Sequence, residues 1–288
     1  MKLRILAIAT LLSLVFGCST GTGTQSAKDP AQAVNNVIQG IVQYQPQAIW
    51  RALPASYQKD VQNIILLGAD ATDKEAYDRT VIVAQKAVKI LSDKKPLFLA
   101  TLKKMPMPIP PDEIEKSYDA AVIVIKQLVN SDLSKHDNLK TLNVDKFLSS
   151  LGSETLKNLV NLNPNAKAQF DGISKVSASL VSTSGDEAKL EITTPQGTKS
   201  TEEFVKIEGA WIPKKMKEGW APGLKRMEEQ LVASKASSAA MYVEYKAKYL
   251  PEIEKQIDKL AKVQTEADLG TWQMEFMASG LIPTPGAR

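Results

Sequence analysis

Residues 176–213 read VSASLVSTSGDEAKLEITTPQGTKSTEEFVKIEGAWIP, and this stretch decides the fold class. Apolar residues alternate with polar ones along it, most regularly in residues 188–192, and a period of two is typical of a half-buried strand. Turn sequences interrupt the alternation at residues 184–186, 195–197 and 208–209. The stretch therefore predicts a four-stranded antiparallel meander with one buried face. The solvated face is expected to carry Lys189, Glu191, Lys199 and Glu203.

The residues before the meander have helical spacing instead. Asp29-Pro30 is typical of an N-cap followed by proline at the first helical position. Gly68 is expected to end one helix, and Thr72 with Glu75 has the spacing of a capping box that starts the next. A helical region over 31–165 follows from this pattern. Its first apolar stripe comprises Val34, Val37, Ile38, Ile41 and Val42.

Two segments of this region are not expected to be helical. Residues 105–111 contain four prolines, which remove backbone donors and fix φ, so they predict an extended connector. Asn163-Pro164-Asn165 predicts the end of the helical region.

Helical spacing returns from Trp220 onward, with a further helix starting at Pro251 and a third around 268–277. The predicted fold class is therefore α+β, mainly α, with a helical N-terminal half, a four-stranded antiparallel meander and long C-terminal helices. Residues 166–282 hold the meander and these last helices. The chain after residue 17 has 288 − 17 = 271 residues, a length at which one core and two are both reasonable, so a single body with 31–165 stays open.

The N-terminus predicts export from the cytoplasm. Lys2 and Arg4 precede an uncharged, mainly apolar run over 5–16, which fits a signal peptide and is too short to cross a bilayer as a helix. Residues 1–17 are therefore expected to be a signal peptide. The small polar residues that follow cannot bury a core, so 18–30 is expected to be a flexible tether with a reach of roughly 20 Å.

Leu14-Val15-Phe16-Gly17-Cys18 resembles the lipobox of bacterial lipoproteins, with Phe16 standing where a small residue is usual. The resemblance implies cleavage after Gly17, a diacylglyceryl thioether on Cys18 and an acyl chain such as palmitate on its amine. Cys18 would then attach the protein to the membrane, because two or more acyl chains anchor stably. Ser19, in place of Asp, implies sorting to the outer membrane in a cell that has two membranes, with the protein facing the periplasm.

The end of the meander, residues 205–212, resembles the closing strands of cystatin-like cone domains, the nuclear-transport-factor-2-like superfamily. The likeness covers some forty residues, 172–213. It implies a sheet curled around a helix with a pocket, and members of the superfamily include binding modules, assembly factors and a few enzymes. No catalytic residue of that superfamily is matched here.

Composition excludes several classes of site. One Cys and one His cannot build the multi-ligand shells of zinc, haem or copper, so neither a metal nor a cofactor is expected. The net charge of +4 falls to +2 without Lys2 and Arg4, which gives no sign of a nucleic-acid binder. The only histidine, His136, is flanked by polar residues and is expected to be exposed to solvent.

Other chemical motifs are explained by simpler roles. Ser56-x-x-Lys59 and Ser92-x-x-Lys95 have the spacing of a penicillin-binding-protein nucleophile, but two such spacings are expected by chance in this composition. A group of acids near residue 73 lacks the glycine and closing glutamate of a calcium loop, so helix capping is the expected role. These acids are Asp70, Asp73, Glu75 and Asp78.

The sequence therefore predicts a membrane-anchored, non-enzymatic lipoprotein of the cell envelope with no catalytic residue identified and Cys18 as lipid attachment site. It is expected to bind a protein partner or a small ligand, at a cleft between the helical half and the sheet. A dry apolar pocket beside Trp211 and Trp220 would favour a ligand, and an exposed apolar patch would favour a protein.

Two alternatives stay open, a cell-wall hydrolase with paired carboxylates and a structural spacer. The C-terminal helix is expected to dock on its own core. Its other possible role is an exposed patch made of Met274, Phe276, Met277, Leu281 and Ile282.

Overall fold

A computed structural model describes residues 29–104, 110–162 and 164–281. The predicted signal peptide, Cys18 and nearly all of the tether lie outside the described residues, as do most of the proline connector and Ile282. Within the described ranges, no helix combines the length and the apolar character needed to span a bilayer.

The described chain forms two compact units, which are considered separately. Unit 1 contains residues up to 64 together with 143–228, and unit 2 contains 65–142 together with residues from 229 onward. The predicted border between the helical region and the meander, at 165–166, lies inside unit 1.

Unit 1 contains the sheet and the helices around it. Its helices are α1 (Pro30–Val42), α2 (Gln47–Ala52), the first part of α3 (Ala55–Asp70), α8 (Val144–Phe147), α9 (Ser153–Leu162), α10 (Pro164–Ile173) and the first part of α11 (Lys214–Glu244). A π-helical turn, Leu148–Gly152, joins α8 to α9. Its strands are β1 (Ser177–Ser184), β2 (Glu187–Thr193), β3 (Lys199–Ile207) and β4 (Ala210–Pro213).

The predicted meander is confirmed, because the four strands pair antiparallel in the order β1-β2-β3-β4. Glu208 and Gly209 both have positive φ, 50° and 85°, as a two-residue type I′ hairpin requires. A bulge at Val181 shifts the register between β1 and β2. The four charged residues expected on the solvated face form two cross-strand ion pairs, Lys189 with Glu203 and Lys199 with Glu191.

The core of unit 1 lies where α1 packs on the sheet. As predicted, Asp29 caps α1, accepting from the Ala31 amide at 2.8 Å, and Pro30 is its first residue. The helix buries Val34 and Ile38 against the sheet. The buried residues on the sheet side are Ala178, Ala188, Leu190, Phe204 and Trp211.

Unit 2 is helical throughout its described residues. It contains the end of α3, α4 (Lys74–Asp93), α5 (Lys95–Lys104), α6 (Pro111–Val129), α7 (His136–Lys140), the end of α11, α12 (Leu250–Lys262) and α13 (Glu266–Ala278). A 3-10 turn, Asp132–Ser134, precedes α7, and a π-helical turn, Tyr245–Tyr249, joins α11 to α12. One core of unit 2 contains Ile90, Leu260, Val263 and Leu269.

Four local predictions were wrong in detail. Asn163-Pro164-Asn165 does not end the helical region, because α10 begins at Pro164 and continues to Ile173. Gly68 does not end α3, which continues to Asp70. The N-cap of α4 is Asp73, whose carboxylate accepts from the Ala76 amide, whereas the Thr72 hydroxyl donates back to the Gly68 carbonyl. The helix expected from Trp220 onward, α11, begins earlier, at Lys214 directly after β4, and it includes Pro222.

Candidate functional site

The two tryptophans expected to flank a pocket lie on opposite faces of the sheet. Trp211 belongs to the core between α1 and the sheet. Trp220 packs instead with Tyr57, Val205 and Ile212 on the other face. The prediction of a single buried face was therefore wrong where β3 and β4 meet, because α3 and α11 cover the second face there. A pocket lined by both rings is therefore excluded in unit 1.

Trp220 takes part in a compact aromatic and acidic contact. Its ring stacks on Tyr57 with centroids 4.0 Å apart and an interplanar angle of 8°, and its indole Nε1 donates to Asp60 Oδ2 at 2.9 Å. Burial raises the pKa of the Tyr57 hydroxyl, and the carboxylates of Asp60 and Glu208 raise it further. Since the rings cover each other and the indole donor is satisfied, this contact fixes α11 against α3 within unit 1.

Glu208 links the β3–β4 turn to the start of α3. Its Oε2 accepts from the Ser56 amide at 2.9 Å, and its side chain also bonds the Ser56 hydroxyl and the Ala55 amide. These donors hold the pKa of the Glu208 carboxyl below its usual value. The carboxylate thus supplies the capping group that Pro54, which precedes the helix, cannot provide.

A cleft of about 500 Å³ lies between α4 and α12 in unit 2, but its cations are already neutralised. Lys86 Nζ lies 3.2 Å from Asp258, and Lys89 Nζ lies 2.6 Å from Asp93. Lys94 Nζ donates to a backbone carbonyl. An anionic ligand would have to displace these partners, so the cleft is a poor candidate for a binding site.

The π-helical turn before α12 is held to α4 by an ion-pair network. Lys246 Nζ lies 3.0 Å from both Asp73 Oδ2 and Glu75 Oε2. Arg79 lies 2.9 Å from Glu254 and 3.5 Å from Glu75. The Ala76 amide has the largest effect on the pKa of Asp73, and Lys246 lowers that pKa further. Lys246 also lowers the pKa of Glu75.

The four acids considered for calcium have separate structural roles. Asp73 and Glu75 bind Lys246, Asp70 binds Lys140 at 2.7 Å, and Asp78 accepts from a backbone amide at 2.8 Å. No set of three or more metal-ligating side chains converges anywhere in the described ranges.

The expectation that His136 is exposed was wrong, because it is only 5% exposed. Its Nε2 lies 2.9 Å from the Ala69 carbonyl, its backbone amide donates to Asp78, and its ring meets Tyr77 edge-on. Nδ1 lies 4.0 Å from Asp137 and has no hydrogen-bond partner among the described residues. Contacts with the end of α3 and with α4 therefore bury this side chain despite its polar neighbours in sequence.

Neither serine–lysine spacing forms a nucleophile with an adjacent base. The Ser92 hydroxyl donates to the Val88 carbonyl at 2.9 Å, and Lys95 Nζ lies 2.8 Å from Asp119. This carboxylate, with that of Glu115, raises the pKa of Lys95, which is opposite to what a catalytic base needs. Ser56 is occupied in bonding Glu208.

Paired carboxylates for glycoside hydrolysis require one acid with a raised pKa. Every described carboxyl with a resolved shift has its pKa lowered instead, by lysine or arginine neighbours, by backbone donors, or, at Glu252 and Asp268, first by the side chains of Gln256 and Thr265. These are Asp70, Asp73, Glu75, Glu115, Asp137, Asp145, Glu203, Glu208, Glu252 and Asp268.

The C-terminal helix α13 has one docked face and one exposed apolar pair. Leu269 is buried, Trp272 Nε1 donates to the Gln256 carbonyl at 2.9 Å, and Phe276 stacks on Trp272 at 5.2 Å. Met274 and Met277 are exposed by 63% and 62%. Both expectations for this helix are thus met in part, because it docks on its own unit and also presents two methionines to solvent.

Exposed apolar side chains are concentrated in unit 2. Among the described residues of unit 1, the large exposed ones are Leu159, Leu180 and Val181. Those in unit 2 are Ile82, Ile123, Ile125, Leu128, Val232, Met241, Val243, Met274 and Met277.

No protein-family model, no curated protein and no solved structure matches the chain. Its function is therefore inferred from the residues described above.

Proposed function

We propose that this protein is a lipid-anchored protein of the bacterial cell envelope that binds a protein partner through the exposed Met274 and Met277 of α13. The observation that carries the proposal is the exposure of both side chains on a helix whose opposite face is docked. Met274 and Met277 lie three residues apart, so their side chains are neighbours on the helix surface.

The surface chemistry favours a protein over a small ligand. Methionine is flexible and polarisable, and it is common at binding surfaces that adapt to a partner. A small ligand would instead need a concave apolar site with a few polar groups. The tryptophans lie on opposite faces of the sheet, and the cleft of unit 2 is lined by paired charges, so neither offers such a site.

The N-terminal sequence supports the cellular address. The lipobox-like residues 14–18 provide a thiol at Cys18 for acylation, and the polar residues after it provide a tether. The folded units would then face the periplasm from the outer membrane. Binding by a membrane-held protein also benefits from the raised local concentration of its partner.

The experiment that tests the partner site is site-specific photo-crosslinking in intact cells. A photoreactive amino acid replaces Met274 or Met277 in one set of samples and Leu159, an exposed apolar residue of unit 1, in a control. We expect a discrete crosslinked protein from positions 274 and 277 and a much weaker product from 159. Equal products from all three positions, or none, would contradict the proposal.

A charge variant provides a second test of the partner site. Met274→Lys with Met277→Lys places two ammonium groups on the patch, and the exposed positions leave the fold intact. With the probe at the neighbouring Gln273, we expect this variant to lose the crosslinked partner, whereas Leu159→Lys keeps it. Circular dichroism of both variants separates a lost interface from a lost fold.

A further inference from the structure

Within the described ranges, no strand pairs with the outer edge of β1. Ala178 is buried, but residues 179–184 are all exposed, with Leu180 at 44% and Val181 at 57%. The strand Ser177–Ser184 reads SASLVSTS and contains no charge and no proline. Edge strands usually carry charged residues or proline, which prevent pairing with other chains. Because β1 has neither, another strand can pair with its edge.

A helix residue covers one position of this edge. The Asn35 side chain of α1 donates from Nδ2 to the Ala178 carbonyl at 2.8 Å and accepts from the Ala178 amide at 2.9 Å. Both backbone groups of Ala178 therefore point away from β2, and the Asn35 amide takes the place of a neighbouring strand.

The other outward groups follow from the strand register. Leu180 lies two residues after Ala178 and points its amide and carbonyl to the same side. The bulge at Val181 adds one residue, so the next outward position is Thr183, opposite Ala188. The outward positions Ala178, Leu180 and Thr183 are thus evenly spaced along the edge, with Leu180 in the middle.

We propose that β1 pairs antiparallel with β1 of a second copy of this chain, about a two-fold axis at Leu180. Antiparallel pairing with the axis there places Leu180 opposite Leu180 of the other copy and Ala178 opposite Thr183. The bulge at Val181 of each copy then lies opposite Ser179 of the other copy, so one register satisfies both copies. No like charges meet across the axis, because the strand has none.

The symmetry favours a second copy over an unrelated strand. The sequence is close to a palindrome, with Ser opposite Ser and small or β-branched residues at matched positions. While the Asn35 side chain is bonded to the backbone of Ala178, only the central Leu180 pair can form. The pairs of Ala178 with Thr183 form once Asn35 releases Ala178. The contact is therefore weak in solution and is strengthened for copies held in one membrane.

The first test is disulfide trapping in the full chain with Cys18→Ala, so that the introduced thiol is the only one. Leu180→Cys places the two sulfur-bearing residues about 5.5 Å apart between Cα atoms in a hydrogen-bonded pair, within disulfide reach. We expect mild oxidation to give a dimer. The control is Leu159→Cys, a leucine of unit 1 with a similar exposure of 46%. A dimer from both variants, or from neither, overturns the proposal.

The second test is sedimentation velocity of the Cys18→Ala chain without introduced thiols. Leu180→Lys places two ammonium groups opposite each other and should raise the dimer Kd by roughly tenfold, whereas Leu159→Lys should leave it unchanged. Asn35→Ala frees Ala178 and should lower the Kd. If neither Leu180→Lys nor Asn35→Ala changes the dimer Kd, the proposal is overturned. This result does not depend on whether α13 binds a partner.

Discussion

At the scale of single residues, Glu208 shows how a strained turn residue stabilises a helix. Its φ of 50° is costly for a residue with a side chain, yet it directs the carboxylate to the first amides of α3. The pKa of this carboxyl is lowered in the folded protein, so it contributes stability above its unfolded pKa. That contribution is lost as the pH falls through the folded pKa.

We therefore expect Glu208→Gln to lower the melting temperature at neutral pH and to match the wild-type protein at acidic pH. Glutamine keeps an oxygen acceptor and the same backbone strain, so the difference reports the charge alone. Melting curves between neutral pH and about pH 3 measure it. Glu187→Gln, an exposed residue of the same sheet, is the control. Parallel curves for Glu208→Gln and wild type at every pH would rule out this role.

At the scale of elements, the end of α3 shows whether Gly68 ends the helix or lies inside it. A glycine that ends a helix has positive φ, and alanine is strained there. Gly68 lies instead inside α3 without positive φ, and a Cβ added to it would meet no atom within 4 Å. The helix continues past it because residues up to Asp70 stay hydrogen-bonded.

We expect Gly68→Ala to raise the free energy of unfolding by about 0.5–1 kcal/mol, because alanine loses less backbone entropy in a helix. Gly209→Ala, at a φ of 85°, should lower it. Urea unfolding of the two variants beside the wild type measures both changes. A destabilised Gly68→Ala protein would mean that α3 ends where the sequence suggested.

At the scale of the whole molecule, the proposed lipid anchor would decide where both units act. If Cys18 carries the acyl chains, Cys18→Ala should remove palmitate labelling and release the protein from the membrane fraction, because the acyl chains supply the attachment. Ser19→Ala, next to the proposed lipid attachment site, should stay attached. Fractionation of labelled cells measures both, and a Cys18→Ala protein that remains on the membrane in high salt would contradict the lipid anchor.

The accuracy of the sequence-based predictions depends on how local the deciding interactions are. The meander follows from alternation and turn residues within 176–213, and the start of α1 follows from Asp29 and Pro30. The capping of α4 was misassigned by one residue, since Thr72 and Asp73 both have suitable oxygens. Only the hydrogen bonds of the folded helix distinguish them.

The fold class, the four strands with their turns and the lipobox-like N-terminus could be predicted from the sequence, because each depends on residues a few positions apart. The burial of side chains that break these local patterns could not. His136 is covered by α3 and α4 although its sequence neighbours are polar, and Met274 and Met277 stay exposed although they are apolar. The physical reason is that burial depends on elements that are distant in sequence, whereas strand and helix periods and caps depend on local geometry.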